Sequence, residues 1–176
     1  WLVALTCVLN GLWLVTAQFL TLGLTVVSIV LLLIALAVTF RRAVQTRERS
    51  DGFVDSLLLD GVIGLHLGWV ALATVANATA WLTSIGDPSW ADAADLWGIL
   101  VLIIVTAIGV SIARFSGWRV APGLAMGWGL SWIGVARLTG EPFSNPIGSV
   151  ALIAAAIVAL PPLLVAVLRF LRPPVD

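Results

Sequence analysis

A chain of 176 residues that is 61% hydrophobic and only 10% charged, with a mean hydropathy of +1.12, lies far outside the composition of water-soluble domains. Its formal net charge of zero leaves no long-range field to gather nucleic acid, and a single cysteine, Cys7, excludes an internal disulfide and any cysteine-based metal cage. Apolar stretches of about 20 residues match the thickness of a bilayer core, so the expected fold is all-α: a polytopic membrane helix bundle whose main partner is the lipid bilayer.

Six spans are predicted, and they are taken here in chain order. The first, about 1–17, holds Asn10 and Trp13. It lacks a basic leader and a small-residue cleavage site, and a second span follows at once, so it reads as a membrane helix and not as a signal peptide. Because the chain starts at Trp1, already inside this helix, it is expected to be an N-terminally truncated piece. The second span, 20–40, is apolar throughout, and the connection after it, Arg41 to Ser56, carries Arg41, Arg42, Arg47 and Arg49. The third, 57–83, contains Asp60, His66 and Asn77, with Asp60 expected near the cytoplasmic end. The next connection, Ile85 to Asp95, holds Asp87, Asp92 and Asp95 and no basic residue.

The fourth and fifth spans, 96–115 and 118–138, are separated by Gly117, and Arg114 and Arg119 flank that break. Trp90, Trp97 and Trp118 lie at span ends and are assigned to the interfacial aromatic belt. The spacings Gly64-xxx-Gly68 and Gly123-xxx-Gly127-xxx-Ser131 put small residues on one face of the third and fifth spans, where backbones can approach closely. The sixth span, 147–170, includes Pro161-Pro162, which removes two backbone donors and calls for a kink or a neighbouring polar group. If the connection rich in arginine is cytoplasmic, eight of the nine arginines fall on that side and only Arg137 lies outside. The positive-inside rule then fixes six alternating spans with the C-terminus in the cytoplasm.

Polar groups inside spans are costly and mark candidate sites. His66, Trp69, Ala73, Asn77 and Trp81 recur every three or four residues along one stripe of the third span, and Asn10 and Trp13 share a face of the first. An indole beside an amide suits a flat, weakly polar ligand. The plainer reading is also open: Asn bonding to a neighbouring helix, and Trp sitting in the interfacial belt. The His66 imidazole could bind iron axially or pack as a hydrogen-bonded core residue. No catalytic motif and no metal-ligand cluster is visible in the sequence, so no catalytic residue is named and an enzyme is not expected.

Leu9-Asn10-Gly11-Leu12-Trp13, and Trp69 followed by Ala73-Thr74 and Asn77, resemble the third and fifth helices of the tryptophan-rich sensory protein or translocator protein family (TspO/MBR). The resemblance covers residues 1–83 as the third to fifth helices of a five-helix bundle and leaves 84–176 as three additional helices with a C-terminal tail. The sequence departs from the family pattern at Leu65-His66-Leu67-Gly68, where a proline and an aromatic are usual. The resemblance implies a sensory or receptor protein of a bacterial plasma membrane. It would bind a tetrapyrrole (porphyrin or haem) or a sterol-like lipid between helices, at Asn10, Trp13, Trp69, Ala73 and Asn77, with His66 alongside. It also implies homodimer formation and, for bacterial members, a proposed photo-degradation of porphyrin. The alternatives are a small-solute transporter or permease-like module, and a structural membrane subunit.

Overall fold

The computed structural model describes residues 1–46 and 61–171. Six long helices account for nearly all of them: α1 (Leu2–Phe19), α2 (Leu22–Gln45), α3 (Ile63–Ile85), α4 (Ala94–Phe115), α5 (Val120–Thr139) and α6 (Asn145–Leu171). A short 3₁₀ turn, Pro88–Ala93, leads into α4. Each helix follows its expected span closely. The main difference is α2, which runs on through Arg41 and Arg42 to Gln45 where the sequence suggests a loop. Long arginine stems can lie along the apolar helix while their heads reach water, and a cation in the last turn offsets the helix dipole. Arg47, Arg49, Asp60 and Arg172 lie outside the described residues.

The helices pack as a row, α1 on α2, α2 on α3, α3 on α5 and α5 on α6, with α4 set against α6, α5 and α3. Chain direction alternates along the row except between α3 and α5, which run parallel. One end gathers the start of α1, the end of α2 and the start of α3 around a shared hollow, and there the Arg169 guanidinium donates to the Gly117 carbonyl at 3.1 Å. At the opposite end the Ser144 hydroxyl donates to Asp95 at 2.7 Å and accepts from the Ile147 backbone N–H, which ties the start of α6 to the start of α4. Arg41, Arg42, Arg114, Arg119 and Arg169 therefore share one end, and Arg137 sits at the other, donating to the Pro142 carbonyl.

Five of these segments are long and apolar enough to cross a membrane; α5, with four glycines, two tryptophans and Arg137, is long enough but less apolar. Its place in the bundle explains the composition. In lipid, helix association depends on close packing more than on apolarity, and small residues permit that approach. A Cβ on Gly123 would meet the Val158 carbonyl oxygen of α6 at 2.5 Å, one on Gly127 the Ala159 methyl at 2.8 Å, and one on Gly134 the Leu152 side chain at 2.7 Å. On its other flank α5 meets α3, where a Cβ on Gly68 would run into the Pro122 carbonyl and one on Gly129 into Leu72. Both glycine spacings seen in the sequence are thus contact faces.

Pro161 and Pro162 lie within a continuous α6. Their missing N–H groups leave the carbonyls of Ile157 and Val158 without an intrahelical donor. Pro162 is fully buried against Gly123, whose Cα–H side faces the freed Val158 oxygen, a weak contact in place of the lost bond. Between α4 and α5 the chain reverses through Gly117 (φ +70°) and Trp118 (φ +65°). The Trp118 N–H reaches the Ala113 carbonyl and the Gly117 N–H that of Arg114, the hydrogen bonds of a Schellman cap.

Candidate ligand site

Two buried apolar clusters divide the bundle. One, between α4, α5, α6 and α3, centres on Val105, Met126, Leu130, Ala151 and Val158. The other, between α2 and α3, is built from Ile29, Leu32, Leu36, Phe40, Ile63, Leu67 and Val70, with Leu9, Trp13 and Ala73 packed against it. Of the residues singled out in the sequence, Trp13 and Ala73 thus share this second cluster. Helix α1 reaches it across α2 alone and is tied there by a buried hydrogen bond, 2.7 Å, between the Thr16 and Ser28 hydroxyls.

The hydrogen-bonding capacity at this cluster is incompletely used. The Trp13 indole Nε1 is buried and has no acceptor among the described residues. Asn10, one turn before it, is half-buried and has no hydrogen-bond partner among the described residues, and the same holds for His66. Asn77 donates its amide N–H to the Ala73 carbonyl at 2.8 Å, a bond back along its own helix that leaves Oδ1 free. Ordinary helix packing would have paired these groups with a neighbour, since an unmet buried donor costs on the order of 1–3 kcal/mol. Among the described residues no group of His, Cys, Asp and Glu could hold a metal ion.

Trp69 has different company. Its ring lies 5.6 Å from that of Trp128 on α5, tilted by 44°, and Trp128 in turn meets Trp132 edge-on at 6.3 Å. Spacing along α3 correctly places Trp69 near the stripe of His66, Ala73 and Asn77, but the indole packs toward α5 and not with Trp13. Trp128 and Trp132 were not singled out in the sequence; their i, i+4 spacing in a glycine-rich helix was the available signal. Trp81 packs with its Nε1 3.3 Å from where a Gly23 Cβ would stand, so the glycine at the start of α2 makes room for that indole.

The model of the TSPO-like protein family matches residues 1–164. The chain belongs to that family. In this TSPO-like chain the match extends beyond the residues that carried the resemblance, through α4 and α5 and most of α6. No curated protein and no solved structure matches it.

Two hollows flank the helices. A groove of about 560 Å³ between α4 and α6, lined by Ile103, Ala107, Val110, Ile153 and Ile157 among others, lies away from all the sequence-predicted residues. Its two hydroxyls, Thr106 and Ser111, donate to carbonyls of their own helix, so it presents an apolar wall to lipid chains. The second, about 240 Å³, opens at the arginine-rich end between α1, α2 and α3 and is lined by Trp1, Leu2, Thr39, Arg42 and Ile63 among others. At the acidic end, hydrogen bonds from the Ser89 hydroxyl and then its backbone N–H hold the exposed Asp87 carboxyl below the usual carboxylate range.

Proposed function

We propose that this membrane protein of the TSPO-like family is a receptor for a planar, largely apolar ligand, a tetrapyrrole or a sterol-like lipid, held on the α1 side of the α2–α3 cluster. The buried Trp13 N–H without an acceptor carries the reading. A ligand there would accept from Trp13 and meet Asn10, His66 and the free Oδ1 of Asn77, while Ala73 leaves room for a flat ring. The gathering of arginines at one end of the bundle supports a cytoplasmic orientation for it, and hence for the C-terminal end of α6, in a bacterial plasma membrane.

The test is titration of protoporphyrin into the protein in nanodiscs. A saturable shift of the Soret band is expected, with binding weakened about fivefold by Trp13→Phe, the worth of one net hydrogen bond. Equal porphyrin affinity in the intact protein, Trp13→Phe and Asn77→Ala would reject the site.

A further inference from the structure

The hollow at the arginine-rich end lies in the cleft between α1 and α3, over α2. Helices α1 and α3 both pack on α2 and not on each other, so α2 supplies the floor, Thr39, Arg42 and Ala43, while Leu2 and Val3 of α1 and Ile63 of α3 form the walls. Its depth follows from the helix. Helix α2 has 24 residues, about 36 Å at 1.5 Å per residue, against a hydrocarbon core of about 30 Å. With Leu22 at one edge of that core, Arg42 stands roughly 30 Å along, at the other edge, and Thr39 nearly one turn inside it.

The hollow therefore crosses the boundary between acyl chains and headgroups, and its lining changes there in the same sense. Its inner part is apolar. Both threonine hydroxyls in the lining are committed to their own helix, Thr39 donating to the Ala35 carbonyl at 2.7 Å and Thr46 to the Arg42 carbonyl at 2.9 Å. The exposed Arg42 guanidinium has no hydrogen bond or ion pair among the described residues, so its donors are free. The volume of about 240 Å³ falls below the roughly 300–1,000 Å³ that encloses a whole drug-sized ligand, and it suits one part of a lipid.

At this depth the medium around α1 and the end of α2 is lipid, and the chemistry of the lining selects the headgroup. A free guanidinium takes a phosphate through two parallel hydrogen bonds. Among the described residues no carboxylate lines the hollow, and Arg41 stands next to Arg42. The ammonium of a zwitterionic headgroup would thus meet like charge and no counter-charge. An anionic headgroup without an ammonium meets no such obstacle.

We propose that this hollow is a site for an anionic phospholipid of the phosphatidylglycerol class, its phosphate on the Arg42 guanidinium and the start of an acyl chain against Leu2, Val3 and Ala43. The site rests on the hollow and on Arg42, and does not depend on the Trp13 pocket or its ligand.

The experiment is native mass spectrometry of the protein in detergent, titrated with dioleoylphosphatidylglycerol and, separately, with dioleoylphosphatidylcholine. The expected result is one phosphatidylglycerol bound saturably and about tenfold more tightly than phosphatidylcholine. Arg42→Gln should lose about tenfold in that affinity, the worth of a hydrogen bond to a charged group, and Arg42→Lys should recover part of it. Arg114→Gln, at the same end of the bundle but outside the hollow, should bind as the intact protein does. Equal binding of the two lipids overturns the proposal, as does full affinity in Arg42→Gln. Equal losses in Arg42→Gln and Arg114→Gln mean a diffuse attraction to the arginine-rich end, and overturn it too. Displacement of the bound lipid by inorganic phosphate means a site for the free anion and overturns the lipid assignment. Porphyrin titration reads Trp13, so either site can fail without the other.

Discussion

The α5–α6 pair and the α1–α2 pair are both antiparallel helix pairs in the same bundle, but they are held by different means. Between α5 and α6, glycines stand where any larger residue would strike a backbone carbonyl or a packed side chain. Between α1 and α2, contact rests on a hydroxyl pair and scattered aliphatic side chains, and Gly11 on α1 has nothing within 4 Å of where a Cβ would be. The difference separates a scaffold, where shape complementarity is exhausted, from a flank where polar groups and space remain. Of these two interfaces, only the α1–α2 one leaves room for a ligand between its helices.

Substitutions can break or sharpen this contrast. The largest effect is expected from Gly68→Ala, which sets a methyl against the Pro122 carbonyl at the α3–α5 crossing, where no flexible side chain can give way. It should cost about 1–3 kcal/mol, seen as a lower unfolding midpoint in detergent titrations. Thr16→Val removes the interhelical hydroxyl bond of the loose pair and should cost about 0.6 kcal/mol by the same measurement, with exchange protection falling in α1 and not in α5. Smallest of all, Gly11→Ala should be neutral or stabilising by a few tenths of a kcal/mol, because the site is open and alanine favours the helix. If Gly11→Ala were as damaging as Gly68→Ala, α1 would be as tightly packed as α5 and the contrast would collapse.

Much of this architecture is legible in the sequence, for reasons that can be named. Span positions follow from hydropathy, and the glycine spacings on the third and fifth spans identify contact faces because close approach demands small residues at fixed intervals. The arginine distribution correctly groups the helix ends. Periodicity also places His66, Trp69, Ala73 and Asn77 near one stripe, but a stripe does not name its neighbour. Trp69, at the edge of that stripe, falls to α5, where Trp128 offers a ring. Local backbone bonding is equally invisible: Asn77 spends its donor on Ala73 within its own helix, which no spacing rule foretells. α5 would be the weakest span on hydropathy alone, because the residues that fit it between its neighbours are the ones that lower its apolarity.

Pro162 and Gly123 have a further consequence. Because the freed Val158 oxygen lies over a glycine and the proline ring fills the space beside it, α5 and α6 interlock at a defined height. A shift by one residue in either direction would bring Pro122 or Leu124, each with a Cβ, over that oxygen. The last hairpin is therefore indexed along the membrane normal as a key is by its notches, and the same notch fixes the depth at which α5 presents Trp128 and Trp132.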